Sequence, residues 1–237
     1  IFKHSDILNP VSATTLLLAG KSARMQPRST ILDLGSGKGY PSLLWSSAFG
    51  VRVEGFDTNS NFVEYANARA KMLNLSRRVK YHCKNVAELR GNGKYAIVAS
   101  LGLGTAQAYG TTGDALRNFK NMLQKNGIVI LAEPVWLTKP VSPEVLKAIG
   151  ESDDTLLTET EMKQLIEKSR FHVIERFASS KEDWELYMTP AYIALQEIIA
   201  RKSELADEAR KVMKTFKAEY DAAGRYWNML LWVLKTK

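Results

Sequence analysis

Ile31-Leu32-Asp33-Leu34-Gly35-Ser36-Gly37-Lys38-Gly39 begins as an apolar run interrupted only by the acid Asp33 and then places three glycines at alternate positions. Such a stretch reads as a buried strand that turns sharply into a helix, its backbone bare enough for a ligand to come close. Eighteen residues past Gly39, at the end of a second β-like run from Val51 to Phe56, stands Asp57. A carboxylate there is placed to accept hydrogen bonds from a ribose diol. The two signals together imply a ribose-bearing cofactor.

Spacing narrows the choice. A dinucleotide fingerprint needs a small residue where this chain has Tyr40, whose bulk would obstruct close helix-to-strand packing. A phosphate loop needs Ser or Thr after its lysine, but Lys38 is followed by Gly39, and the position five before Gly37 is Leu32. What remains is Asp-x-Gly-x-Gly-x-Gly, which resembles motif I of the class I S-adenosylmethionine-dependent methyltransferases. That resemblance is well supported from Thr30 to Leu131 and weaker from Lys139 onward. The segment Asp183-Trp184-Glu185-Leu186-Tyr187 is similar to one in some bacterial and archaeal small-molecule methyltransferases.

The resemblance implies a Rossmann-like α/β fold: a doubly wound, mostly parallel seven-stranded sheet with a helical cap inserted between the last two strands. It implies S-adenosyl-L-methionine as cofactor. Gly35, Gly37 and Gly39 would let the backbone approach the methionine part, with Asp33 ordering the loop and Ser36 within it. Asp57, with Thr58 beside it, would take the ribose diol. Asn85, next to Val86, would meet the adenine edge. Family members often carry an acid at the position of Asn85 and another near the start of the fourth strand, where this chain has Ala96. An amide oxygen still accepts a hydrogen bond, without the charge. Ser100 to Thr105, at the carboxyl end of that strand and in the Gly102-Leu103-Gly104-Thr105 stretch after it, would border the transferred methyl, because open parallel sheets bind ligands there.

In chain order, Ala13 to Gly20 reads as an apolar helix, and residues 1–29 as an N-terminal lid segment. Strands are expected at Thr30–Leu34, Val51–Asp57, Val79–Cys83, Tyr95–Leu101, Ile128–Ala132, Phe171–Phe177 and Trp227–Leu234, with helices after Gly39 and over Phe62–Leu75, Ala115–Leu123 and Glu161–Lys168. Lys125-Asn126-Gly127 reads as a turn. Leu137 to Thr160, with Pro140, Pro143, Gly150 and a Ser-Asp-Asp run, reads as a long connection without regular structure. The expected division is a cofactor-binding core over 30–180, a helical substrate cap over 181–223 and a closing strand of the core sheet over 224–237.

At 237 residues, with 45% hydrophobic and 24% charged residues, the chain is long enough for one α/β core plus an appended element. No apolar run approaches about 18 residues, and Ile1-Phe2-Lys3-His4 lacks the marks of a signal peptide, so a cytoplasmic protein without a membrane partner is expected. Cys83 is the single cysteine, and the three histidines are not at ligand spacing, which argues against a metal site. The formal charge of +8 is uneven: between Arg69 and Lys94 eight basic residues face one acid, Glu88. This patch makes a nucleic-acid partner the second reading. The favoured one is a solvated face.

Methyl transfer from a sulfonium is an in-line displacement with an excellent leaving group, so alignment of the acceptor is the main task. A base is needed only where the acceptor carries a proton. Glu133, Tyr187 and Trp184 are the candidates for catalytic roles, with Tyr40, Tyr109 and Trp136 as further aromatic contacts and His4 as a base carried by the lid. The favoured acceptor is a small molecule. The alternatives are an RNA or protein acceptor that uses the basic stretch from Arg69 to Lys94, and a catalytically silent cofactor-binding protein.

Overall fold

The computed structural model describes residues 2–150, 152, 155–201 and 204–237. Ile1 and the two aspartates of the Ser-Asp-Asp run lie outside the described residues. Seven strands form one sheet: β1 (Thr30–Leu34), β2 (Arg52–Asp57), β3 (Val79–Cys83), β4 (Tyr95–Leu101), β5 (Leu123–Trp136), β6 (Phe171–Ala178) and β7 (Trp227–Thr236). Their spatial order is β3-β2-β1-β4-β5-β7-β6. β1 pairs in parallel with both β2 and β4, β2 with β3, and β4 with β5. The last strand runs the other way. Ser179 N–H donates to Met229 O at one end of the β6/β7 pair, and Lys237 N–H donates to Arg170 O at the other.

Burial follows this order. β1 and β4 lie inside the sheet and are buried along nearly their whole length, which is why they read as continuous apolar runs. The edge strands β3 and β6 alternate or expose most positions. Helices α1 (Ala13–Ser22), α2 (Tyr40–Phe49) and α3 (Ser60–Met72) begin and end on recognisable signals. Gly39 and Gly50, both in the left-handed region, bracket α2, and the Asn59 side chain caps α3 by accepting from Asn61 N–H and Phe62 N–H.

Two short helices depart from the expectation. α4 (Thr105–Tyr109) occupies a stretch beyond the fourth strand to which the sequence assigns no element, and α6 (Pro143–Ile149) lies inside the connection that reads as irregular. Pro143 had been read as a loop marker, whereas it sits in the first turn of α6, where its missing N–H has no helical partner to lose. Between these come α5 (Thr112–Met122), capped by Thr111, and the strand β5, which is longer than the apolar run that announced it. The Lys125-Asn126-Gly127 turn is an irregularity inside its ladder: Tyr95 pairs with Leu123 but Ile97 pairs with Ile128, and Asn126 has φ 62°. Beyond Ala132 the strand continues past Pro134 to Trp136.

By its contacts the chain divides into two units. One holds Ala13–Glu133, Lys163–Phe177 and Leu230–Lys237, and the other the residues up to Ser12, Pro134–Met162 and Ala178–Met229. The first carries the glycine loop and most of the sheet, with α7 (Glu159–Lys168) lying across its boundary with the second. The second is built on α8 (Lys181–Ala200) and α9 (Ala206–Ala222). A capping box between Ser180 and Asp183 starts α8, and Trp136, Val141, Ile149 and Ala222 form a buried cluster in this unit.

Candidate active site

The glycine loop is shaped by backbone bonds before any ligand is considered. Gly35 N–H and Ser36 N–H both donate to Phe56 O, at 2.9 and 3.0 Å, tying the end of β1 to the end of β2. Gly37 N–H donates to Asp57 Oδ2 at 2.8 Å, and Asn59 N–H donates to Asp57 Oδ1 at 2.9 Å. Each carboxylate oxygen of Asp57 is thereby fixed by one backbone donor and keeps a further lone pair for a ligand hydroxyl. A cleft of about 320 Å³ lies here, lined by Gly35, Asp57, Thr58, Asn85, Val86 and Leu103, with Gln107 and Ala108 of α4 completing its wall. That volume falls at the lower end of the usual range for small-molecule sites.

Asp33 lies under the loop rather than in the cleft. It is 2% exposed, and Ser42 on α2 donates its hydroxyl to Asp33 Oδ2. Burial pushes its carboxyl up to about 6 against the lowering effect of the Ser42 bond, and the nearby charge of Asp57 adds to the rise. Tyr81 on β3 completes this support. Its hydroxyl donates to Gly39 O at 3.0 Å. A Cβ added at Gly39 would sit 2.6 Å from Tyr81 Cζ, and one at Gly55 would sit 2.8 Å from Tyr81 Cε1. The ring therefore requires glycine on both sides. At Gly35 an added Cβ would meet Leu103 at 2.7 Å, and its φ of +71° independently disfavours a side chain.

Five of the residues assigned to the cofactor from sequence line the cleft together: Gly35, Asp57, Thr58, Asn85 and Val86. Ser36 and Ser100 are buried, and their hydroxyls have no hydrogen-bond partner among the described residues. Such a group is costly, by roughly 1 to 3 kcal/mol, unless something satisfies it. Bare glycine backbone, a prepared carboxylate and orphaned hydroxyls make the residues present a fit for a ribose-bearing cofactor. Leu103 falls within the stretch from Ser100 to Thr105 expected to border the methyl, whereas Gln107 and Ala108 have no counterpart in the sequence reading. Their signal was Gly102-Leu103-Gly104-Thr105, in which Gly104 at φ 73° starts α4.

Asn85 carries a duty that its sequence position did not disclose. It is exposed, and its Oδ1 accepts from Ala87 N–H at 3.0 Å, capping the 3-10 turn Val86–Glu88. One lone pair of that oxygen remains for an adenine amino group. Asn85→Asp keeps both functions, and we expect it to bind S-adenosyl-L-homocysteine as the native chain does. Asn85→Leu loses both, with affinity falling by about 1 to 3 kcal/mol. Calorimetric titration checks this, and equal affinities in all three forms would place the adenine edge elsewhere.

Glu133 is 6% exposed on β5 and accepts from Thr105 N–H at 3.0 Å. Burial, stronger than the opposing Thr105 bonds, pushes its carboxyl up to about 7. Thr105 in turn donates its hydroxyl to Thr112 Oγ1 at 3.1 Å. Tyr109 ties α4 to the Asn85–Val86 wall of the cleft by donating to Val86 O at 3.2 Å.

Tyr40 opens α2 half-buried. Trp184, Trp136 and Tyr187 belong to the second unit. Trp184 is 4% exposed, donates its indole N–H to Asn228 Oδ1 at 2.8 Å and packs edge-on against Trp227. Trp136 is fully buried. Tyr187 is half-buried between Phe2, Trp184 and Phe216. Its hydroxyl is pushed up to about 12, chiefly by burial and further by Glu219. His4 is engaged at 2.9 Å with Glu197 of α8. Among the described residues no group of three His, Cys, Asp or Glu side chains could hold a metal ion, and no helix is long and apolar enough to cross a membrane.

A parallel sheet with a glycine loop after its first strand and, after its second, a carboxylate held by two backbone donors at a cleft defines a cofactor-binding α/β protein. The chain belongs to the methyltransferase domain family, whose model matches residues 26–194. It is 29% identical over 191 residues to the uncharacterized protein YjhP of Escherichia coli strain K12, covering 80% of this chain and 76% of that one. In fold it is similar to the S-adenosylmethionine-dependent methyltransferase of Geobacter sulfurreducens, solved with S-adenosyl-L-homocysteine, with a TM-score of 0.90 at 22% identity over 100% of this chain and 96% of the other. The corresponding enzyme of Thiobacillus denitrificans, also solved with S-adenosyl-L-homocysteine, gives a TM-score of 0.88 at 22% identity over the same shares of the two chains.

Proposed function

We propose that this chain transfers a methyl group from S-adenosyl-L-methionine to a small-molecule acceptor by in-line displacement. The cofactor, when bound, supplies an electrophilic methyl on a sulfonium leaving group. The chain's residues bind and align. Asp57 accepts the ribose hydroxyls with the lone pairs left by Gly37 and Asn59. Asn85 and Val86 face the adenine edge, Thr58 adjoins the ribose, and the loop from Gly35 to Gly39 approaches the methionine part, with Ser36 and Ser100 offering their hydroxyls. Glu133 is the base we assign where the acceptor carries a proton, since a buried carboxyl near 7 is poised to take one at neutral pH. Tyr187 is the aromatic we assign to the acceptor, and Trp184, committed to Asn228, positions it.

The observation that carries the small-molecule reading is the placement of positive charge. The basic side chains of Arg77, Arg78, Lys80 and Lys94 line a pocket together with Thr30 and Arg52, the amino-terminal residues of β1 and β2. The glycine loop leaves the opposite, carboxyl end of β1, where open sheets take their ligands. A basic surface at the wrong end of the strands supports an acceptor other than RNA. Incubating the protein with methyl-labelled cofactor and fractionated cell extract tests this. Label is expected in the low-mass fraction, and label confined to RNA or protein would overturn the reading. Tyr187→Ala should raise KM for the acceptor about tenfold, the loss of roughly 1.4 kcal/mol of contact, and leave S-adenosyl-L-homocysteine binding unchanged.

A further inference from the structure

The basic pocket has features that a solvated face does not explain. Its volume is about 280 Å³, and Arg52, Arg77, Arg78, Lys80 and Lys94 line it against a single acid, Glu54. That acid is already engaged: Lys94 Nζ lies 3.0 Å from Glu54 Oε2, and the Tyr95 hydroxyl donates to the same oxygen. The Tyr95 bond, with Lys94 adding to it, holds the Glu54 carboxyl below its usual range, so it stays ionised and bound to these two partners. Arg52, Arg77 and Lys80 make no ion pair among the described residues, and Arg78 reaches only Ser46 O, at 3.4 Å. Four exposed cationic side chains thus line one cavity with no carboxylate paired to them among the described residues. Their mutual repulsion is relieved by an anion placed among them.

The chemistry selects the anion. Three of the four are arginines, whose planar forks bond two oxygens of one phosphate at a time. Four uncompensated charges match a ligand with more than one phosphate, and a cavity of this size admits a small molecule. The site is separate from the cofactor cleft. The two lie at opposite ends of β1, which at about 3.3 Å per residue are more than ~13 Å apart. We propose that this pocket binds a small ligand bearing a di- or triphosphate group, independently of the cofactor and of the acceptor.

Titration calorimetry on the full chain tests the proposal with pyrophosphate, tripolyphosphate, and a single-stranded oligoribonucleotide of twelve residues as probes. Saturable binding of tripolyphosphate at one per chain is expected, weakened about tenfold or more in Arg77→Ser/Lys80→Ser, which loses two charge-assisted contacts. The same variant should bind S-adenosyl-L-homocysteine within twofold of the native chain, as about the scatter of a distant, independent site allows. Tripolyphosphate binding that is absent, or equal in variant and native chain, overturns the proposal. So does an oligoribonucleotide bound far more tightly than tripolyphosphate and sensitive to the same substitutions, which would make this surface a nucleic-acid face.

Discussion

Asp57→Ala is expected to abolish most of the rise in melting temperature that S-adenosyl-L-homocysteine should give the native chain. The carboxylate sits at the end of β2 with one oxygen on Gly37 N–H and the other on Asn59 N–H. On the proposed function its remaining lone pairs are the ones that accept from the ribose diol. Hydrogen bonds to a charged group contribute about 1.5 to 3 kcal/mol each, so losing two weakens binding by about a hundredfold or more. At a ligand concentration near 100 times the native Kd, stabilisation of about 2.7 kcal/mol falls to about 0.4 kcal/mol. Asn is no substitute: its amide has one oxygen, and turning that to Gly37 N–H aims the NH2 group at Asn59 N–H. Asp57→Asn is therefore expected to lose the shift as well. NAD and ATP should produce no shift in any form. A folded Asp57→Ala chain that keeps the full shift would remove the ribose assignment.

The expectation for Asp57 came from sequence because the information is local. A strand ends, a glycine loop turns, and a second strand ends a fixed distance later. The strand boundaries were legible for the same reason: β1, β3 and β4 begin and end where their apolar runs do. What escaped was non-local or short. Nothing near Gly39 or Gly55 announces Tyr81, which belongs to β3 and forbids a side chain at both positions. Gln107 and Ala108 reach the cleft because α4 folds there, and a five-residue helix has too little periodicity to be read. Asn85 was read as a partner of adenine, but the cap it supplies to Ala87 depends on a 3-10 turn that no pattern marks. The apolar run Ile128–Ala132 marks only the middle of β5, which continues through Glu133 and Pro134 to Trp136. Trp184 shows a limit of another kind. Its residue type suits ligand contact or core equally, and only its bond to Asn228 and its 4% exposure distinguish them.

Glu133→Gln should change stability and rate together, with opposite signs at alkaline pH. The carboxyl is buried beside Thr105, and its pKa rises from 4.5 to about 7, with burial the leading cause. The folded state therefore holds this proton more tightly than the unfolded chain. The stabilisation from the protonated form is fully present below about 4.5 and is lost as pH climbs through about 7. At roughly 1.4 kcal/mol per pH unit across that window, the loss amounts to about 3 kcal/mol as an upper figure. Glutamine keeps an oxygen for Thr105 N–H and has no proton to lose. Denaturation midpoints at pH 5 and pH 9 should differ less in Glu133→Gln than in the native chain, with the variant the more stable at pH 9. The rate behaves otherwise. As the base, Glu133 works only when ionised, so the native methylation rate should rise with pH through about 7. The variant should lose about a hundredfold in kcat while binding S-adenosyl-L-homocysteine normally. A variant that gains stability at pH 9 yet keeps the native rate and its pH profile would leave Glu133 a buried support for Thr105. Proton removal would then fall to another group or be needless for the true acceptor.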